Sequence, residues 1–398
     1  MSNYRYFITQ LYQSGINANP IVAEIPFTNV NFTQEVNNNG TFTGEVLLSG
    51  LSQGAYGVTA NVVANTIPGQ FALYVDFNGS PVWGGVIWNR EYSSDTQILT
   101  ITGQEMMSYF NRRVIYNTSG GASGSTVFTN KDPCYIANQL ITQAQTATYG
   151  YIGVATNTTT SGYSVSRTYY NFELKTVYQA IKDLSTGLDA GTQTPFFDFR
   201  IVPSYASGTG VSAITNTFTM GVPYLGNGSY NAATSSAHVF DFPGNIVSYT
   251  YPEDGTTTAN TVYGLGYGAN VSKLIATAVD SSKLGTWPLL ESSASFIDIN
   301  DPTLLKAVTL GQVNALSYPP TTVQVVIPSY VDPQFNTYKL GDFVRLSIND
   351  DFFPSSTGGV AANEVYRIVA MSVSPGENAP DRVTLTLTLP LATTGTVS

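Results

Sequence analysis

The chain has 398 residues, 42% hydrophobic and only 11% charged, enough to bury sizeable cores, and this excludes a disordered polymer. Its 26 acidic residues outnumber 16 basic ones, and a formal net charge of −10 excludes the broad basic surface of a tight nucleic-acid binder. The single cysteine, Cys134, excludes an internal disulfide, and the single histidine, His238, excludes a histidine-rich metal site.

No secretory pattern opens the chain at Met1-Ser2-Asn3-Tyr4-Arg5, and no apolar run reaches the length of a membrane span. Strands are expected at 6–11, 22–30 and 42–48, with Asn37-Asn38-Asn39-Gly40 as turn chemistry between the last two. Phe71, Leu73, Val75 and Phe77 alternate with Ala72, Tyr74 and Asp76, the period of a strand with one buried face. Asn78-Gly79 tolerates the positive φ of a type I′ turn, so a hairpin to the strand at 82–88 is predicted. A strand at 96–102 leads to a short helix at 103–113 whose apolar side, Met106, Met107 and Phe110, fills a core. Residues 1–115 therefore read as an N-terminal β domain, taken as the first of two barrels.

The Ser/Gly-rich tract at 118–126 reads as an exposed, mobile loop. Asp132-Pro133 then marks a helix start, because Asp caps free N–H groups and Pro suits the first helical position. Ile136, Leu140, Ile141 and Ala144 follow at helical spacing. Cys134 lies in the first turn, where a thiol pKa can fall, but without a nearby histidine it reads as structural. With a second Thr/Ser/Asn/Gly tract at 155–164, residues 116–165 read as an insertion. Leu174, Val177, Ile181 and Leu184 form the stripe of one amphipathic helix, and 188–194 is a break. The strand at 196–202 has Phe197, Phe199 and Ile201 on one side, with Asp198 and Arg200 as a surface ion pair on the other. Strands at 214–220 and 239–242 complete a small α+β domain, residues 166–244.

From 245 the pattern returns to strands, at 245–251 and 260–267. A helix capped by Asp301-Pro302 and lined by Leu304, Leu305, Val308 and Val313 precedes an alternating strand with Val323, Val325 and Ile327. Three more strands, at 342–348, 365–373 and 383–389, complete a C-terminal β domain with one helix, residues 245–398, a pattern that fits a barrel or a sandwich and is taken as a second barrel. In the last of them Val383, Leu385, Leu387 and Leu389 alternate with Thr384, Thr386 and Thr388. The first and last modules share a scheme: a strand, a Gly-Gly-Val loop (Gly84-Gly85-Val86; Gly358-Gly359-Val360), a strand, a turn holding Asp95 or Asp381, and a Thr-rich strand. This reads as an internal duplication. The fold class is mainly β with α+β insertions: two small β-barrel domains plus a helix-containing α+β domain.

No catalytic, cofactor-binding or metal residue is assigned. A histidine triad could assemble only around His238, and no Gly-x-Ser-x-Gly elbow accompanies it. Asp298-Ile299-Asn300-Asp301 and Asn349-Asp350-Asp351 offer clustered oxygens to calcium without the spacing of a calcium loop, and the first fits helix capping better. The glycines at 264, 266 and 268 lack the lysine of a phosphate loop.

Four stretches in this order resemble the tail hub (tail-associated) proteins of siphophages, especially minor tail proteins of actinobacterial phages. They are 82–88 with the elements at 96–113; 176–181 leading to Phe197-Asp198-Phe199-Arg200; 245–249 through 260–266; and 340–344 with Tyr366-Arg367-Ile368 and 383–389. The resemblance implies a homotrimeric ring in which two similar barrels per chain build a pseudo-sixfold tube at the tail tip of a virion, the chain being made in the host cytoplasm. It implies contacts with distal tail, tape measure and tail fibre or central spike proteins, and DNA passing through without specific binding. The stretch at 118–164 departs from a minimal hub. Some relatives carry a C-terminal fibre or lytic domain; a chain ending at Ser398 is expected to be the hub module alone. The alternative is a carbohydrate- or receptor-binding β protein, because Trp83, Trp88 and Trp287 can stack on sugars. Trp83 and Trp88 lie in a patterned strand pair and read as core. An enzyme is disfavoured by the scarcity of histidine and the lack of a paired motif.

Overall fold

The computed structural model describes residues 3–11, 19–49, 58–187, 195–206, 213–228, 238–296, 299, 302–317, 322–354, 364–376, 380–389 and 396–397. The break at 188–194, the Asp298, Asn300 and Asp301 cluster, and Gly358-Gly359-Val360 lie outside the described residues. The first strands are β1 (Tyr4–Gln10), β2 (Asn19–Glu24), β3 (Thr28–Glu35) and β4 (Thr41–Leu47). Helix α1 (Val58–Ala64) precedes β5 (Phe71–Phe77), β6 (Ser80–Ser93) and β7 (Ile98–Glu105). A 3-10 segment, Met106–Arg112, leads to β8 (Ser125–Lys131), α2 (Pro133–Thr146), β9 (Val154–Thr156), β10 (Val165–Tyr170) and α3 (Val177–Ser185). Then come β11 (Asp198–Tyr205), β12 (Ala213–Gly221), β13 (Val239–Phe242), β14 (Ser248–Thr250), β15 (Thr261–Leu265), β16 (Ile275–Val279) and β17 (Glu291–Ser295). The chain continues with α4 (Pro302–Leu316), β18 (Thr322–Pro328), β19 (Phe343–Ile348), β20 (Glu364–Ser374), β21 (Arg382–Thr388) and β22 (Thr396–Val397).

The β5–β6 hairpin forms as its turn residues dictate. Asn78 (φ 51°) and Gly79 (φ 86°) are both left-handed, and Asp76 accepts the Gly79 N–H at 2.9 Å. Strand β5, however, is buried on both faces rather than one. Leu73, Val75 and Phe77 enter a core shared by most of the large sheet, while Ala72 and Tyr74 enter a second core built with α2, α3, β11 and β12. Burying the Tyr74 hydroxyl would be costly without a partner, and Asn216 of β12 donates to it at 2.9 Å. A third, smaller core lies under a four-stranded sheet, β17-β15-β16-β22, against α4.

Several expected elements differ. The strand expected at 22–30 is two strands, β2 and β3, separated at Ile25–Phe27. The helix expected at 103–113 is the end of β7 followed by a 3-10 turn, although Met106, Met107 and Phe110 are buried as foreseen. Leu174 is left-handed (φ 44°) and 56% exposed, outside α3, which starts after Thr176 accepts the Gln179 N–H. Strand β13 does not pair with β11 or β12; it runs parallel to β19, at the far end of the same large sheet. Gly84-Gly85-Val86 lies inside β6, not in a loop.

The duplication is present in the strand ladders, carried by other residues than those markers. The antiparallel order β3-β4-β7-β6-β5 is repeated as β14-β18-β21-β20-β19. Position by position, Val46 opposite Leu99 corresponds to Ile327 opposite Val383, and Phe42 opposite Gly103 corresponds to Val323 opposite Leu387. Strand β6 bulges between Ile87 and Asn89, and β20 bulges at the same place, between Ile368 and Ala370. In each repeat the N–H of a left-handed glycine, Gly69 or Gly341, donates to the carbonyl of that isoleucine at 2.8 Å.

The two repeats merge into one 16-stranded sheet because β3 serves both. Its first half pairs with β4, and Phe32–Glu35 pair with Val373–Ala370 of β20. Among the described residues no pairing closes either repeat into a barrel. The two separate barrels expected from the sequence are instead two meanders of an open sheet with a common core.

Candidate functional surface

The isolated reactive residues have structural surroundings. Cys134 is buried, and its backbone N–H donates at 2.7 Å to Asp132, the N-cap of α2. Burial, and then the neighbouring Asp132 charge, push its thiol up to about 12, so it stays protonated near neutrality. His238 stands just before β13; its carbonyl accepts the Arg345 N–H at 2.8 Å, and its ring meets Tyr338 edge-on at 6.1 Å. Asp350 accepts the N–H groups of Phe352 and Phe353, each at 2.9 Å, and the Tyr249 hydroxyl. The Tyr249 bond, then those backbone bonds, hold its carboxyl below the ordinary range. Its oxygens thus serve the 350–353 turn. Among the described residues no group of three His, Cys, Asp or Glu side chains gathers as a metal ion would require. No described helix is long and apolar enough to cross a membrane.

Asp198 and Arg200 do not form the surface pair expected of them. Asp198 is buried and pairs with Arg367 of β20, while also accepting from Asn37 at 2.7 Å and from the Leu225 N–H at 3.0 Å. Arg367 lies over the ring of Tyr224 at 4.7 Å. Arg200 instead faces Glu105 electrostatically. Sequence spacing could not reveal either partner, because both lie on other strands far along the chain.

Trp83 is fully buried, with its indole N–H on the Thr33 carbonyl at 2.9 Å. Trp88 is half-buried in an open cleft of about 560 Å³ that also takes in Thr43, Thr102, Asn111 and Arg112. Its indole N–H donates to Ser108 at 2.8 Å, and the Arg112 guanidinium covers its ring at 5.4 Å. Lys283 covers Trp287 at 4.9 Å. A ring face already carrying a cation is a poor platform for a sugar, which weakens the carbohydrate reading.

The distinctive surface is one face of the large sheet. Side chains alternate along each strand, so the face opposite the common core is set by register. On β4 and β7 it presents Thr41, Thr43, Thr100 and Thr102; on β21 it presents Thr384, Thr386 and Thr388. Between them β3 and the post-bulge half of β20 add Thr33, Ser372 and Ser374, tied together by Asn31, which donates to both serines. The face crosses the junction between the repeats without a break. Its acids are Glu35, Glu45 and Glu91; its bases are Arg382 at the tip of β21, Arg112 at the cleft with Thr43 and Thr102, and Arg367 opposite Thr388, which is buried over Tyr224. The sequence signal for it was the Thr-rich strand of each module, at 96–102 and 383–389; nothing in the sequence joined the two.

This fold is shared with solved tail proteins over nearly the whole chain. One is the 43 kDa tail protein of prophage MuSo2 from Shewanella oneidensis, with a TM-score of 0.58 and 13% identity over 96% of this chain and 98% of that one. A second is a tail protein from Neisseria meningitidis MC58, with a TM-score of 0.56 and 12% identity over 96% of both chains. A third is the prophage tail protein gp18 from Listeria monocytogenes EGD-e, with a TM-score of 0.50 and 14% identity over 96% of this chain and 94% of that one. No family model and no curated protein sequence matches the chain. At such identities the likeness is one of fold: the chain has the architecture of phage tail proteins.

Proposed function

We propose that this chain is the structural hub of a phage tail tip, three copies forming a ring on the tail axis through which DNA leaves without binding. The two repeats are its tube-type modules, and six of them in three chains line one channel. The observation that carries this reading is the hydroxyl-rich face, with few exposed cations, that runs over both repeats. Lysine and arginine bind phosphates by releasing counterions, so a wall that exposes few of them lets DNA slide. Three copies bring three times the −10 of one chain, which adds repulsion. The hub carries no chemistry of its own and works with distal tail, tape measure and fibre or spike proteins in the virion.

The test is to place cations on the face. Tails carrying Thr102→Lys together with Thr386→Lys should assemble but release DNA more slowly, and the purified ring should retain DNA at physiological salt where the parent does not. A tail-tip reconstruction with this chain in other than three copies on the axis would overturn the reading.

A further inference from the structure

Among the described residues the repeat leaves one edge filled and its counterpart unpaired. In β20 the left-handed Gly341 turns the preceding chain away after Ile368, and the vacated edge, Ala370–Val373, is taken by β3. In β6 the same geometry at Gly69 and Ile87 vacates the edge from Asn89 to Ser93. On that side no strand among the described residues pairs with it. The consequence is visible in one side chain. Val373 is 1% exposed, while Tyr92, at the matching ladder position and on the same face, is 53% exposed.

We propose that a second copy of this chain fills this edge with the segment that continues β14, residues 251–254. This rests on the ring reading above and names the contact that closes it. The counterpart of β3 in the second repeat is β14, and the ladder gives the register: Phe32 opposite Phe42 corresponds to Tyr251 at the level of Val323. Carrying the β3–β20 register over sets Tyr251 against Tyr92, Pro252 against Glu91, Glu253 against Arg90 and Asp254 against Asn89.

Three features of the segment fit. Pro252, Glu253 and Asp254 are exposed and in no strand within their own chain. Val36 N–H donates to the Val369 carbonyl at 2.9 Å, so in this ladder bonded pairs fall at Gln34 and Phe32, and Thr33 is a non-bonded position. Pro252 corresponds to Thr33, the place where a missing N–H costs no ladder bond. Opposite charges then meet at Arg90 and Glu253, as a cross-strand pair favours. Arg90 already fixes the end of α1 through Nη1 on the Val63 carbonyl at 2.6 Å, which holds its guanidinium at this edge.

The experiment uses the full chain with Glu91→Cys and Pro252→Cys together. A non-bonded antiparallel pair brings Cα atoms to about 4.5 Å, close enough for a disulfide. Mild oxidation should give a covalent ladder ending at three chains, with a 91–252 linked peptide in the mass spectrum; each single substitution should give nothing above a dimer. Arg90→Glu should weaken self-association at least tenfold by sedimentation, and adding Glu253→Arg should restore it. A chain that is trimeric yet forms no 91–252 link overturns this edge pairing and leaves the ring standing. A chain that stays monomeric at every concentration, without a link, overturns both.

Discussion

Asp198 and Arg367, 169 positions apart, form a buried ion pair that fastens the segment after α3 to the second repeat. Asn37 of the first repeat donates to the same carboxylate, so one group holds three parts of the chain. Burial pushes the Asp198 carboxyl up from its ordinary value, while Arg367 and the Leu225 and Asn37 donors pull it down. Removing one partner strands the other charge in a dry site. Arg367→Met should therefore cost about 3–5 kcal/mol in urea denaturation, and the double variant Asp198→Leu/Arg367→Met should recover most of it. Equal losses in the single and double variants would show that the pair is not what holds the junction.

Glu105 gives the stability a pH dependence with a definite sign. Its carboxylate accepts the Gly40 N–H at 2.8 Å, and burial pushes it up to about 7 from an ordinary 4.5, with Arg200 the main opposing influence. Below about pH 4.5 the group is protonated in both states and its contribution is complete. As the pH rises through 7, folding must hold a buried carboxylate, and the contribution is lost. Stability should fall by up to about 3 kcal/mol across that window relative to Glu105→Gln. Denaturation of both proteins at pH 5 and pH 8 measures it; a parallel response of the two would refute the assignment.

Asp132 ties a loop as well as a helix. One carboxylate oxygen caps α2, and the other accepts the N–H groups of Ser161 and Gly162 at 2.8 and 3.0 Å and the Ser161 hydroxyl at 3.0 Å. Asp132→Ala should cost about 1–2 kcal/mol. It should also move the first cuts of limited proteolysis into 157–164, which Asp132 otherwise restrains. In the parent the first cuts are expected at 118–124, ahead of β8.

Gly85 has no room for a side chain. A Cβ there would lie 2.2 Å from the Gln104 carbonyl oxygen and 2.4 Å from the Trp83 ring. Neither the backbone of β7 nor a fully buried indole gives way easily. Gly85→Ala should cost about 1–3 kcal/mol or more, read as a lowered Tm with unchanged far-ultraviolet dichroism. Gly79→Ala meets no neighbour within 4 Å and suffers only the strain of φ 86°, so it should cost less.

The sequence by itself determined what depends on neighbours along the chain. The Asn78-Gly79 hairpin, the Asp132-Pro133 helix start and the alternation of Val383, Leu385 and Leu387 are set by turn chemistry, capping and side-chain period. All three stand in the structure. The tertiary structure alone decided what depends on distant partners. Strand β5 looked one-sided because Tyr74 and Asp76 are polar at their tips, yet Asn216 and Tyr205 reach them from other strands and both faces are buried. Asp198 looked like a surface acid because its partner lies 169 residues on. The duplication sits in ladder registers and paired bulges, which local propensity does not encode, and the polar face exists only once β3 joins the two repeats into a single sheet.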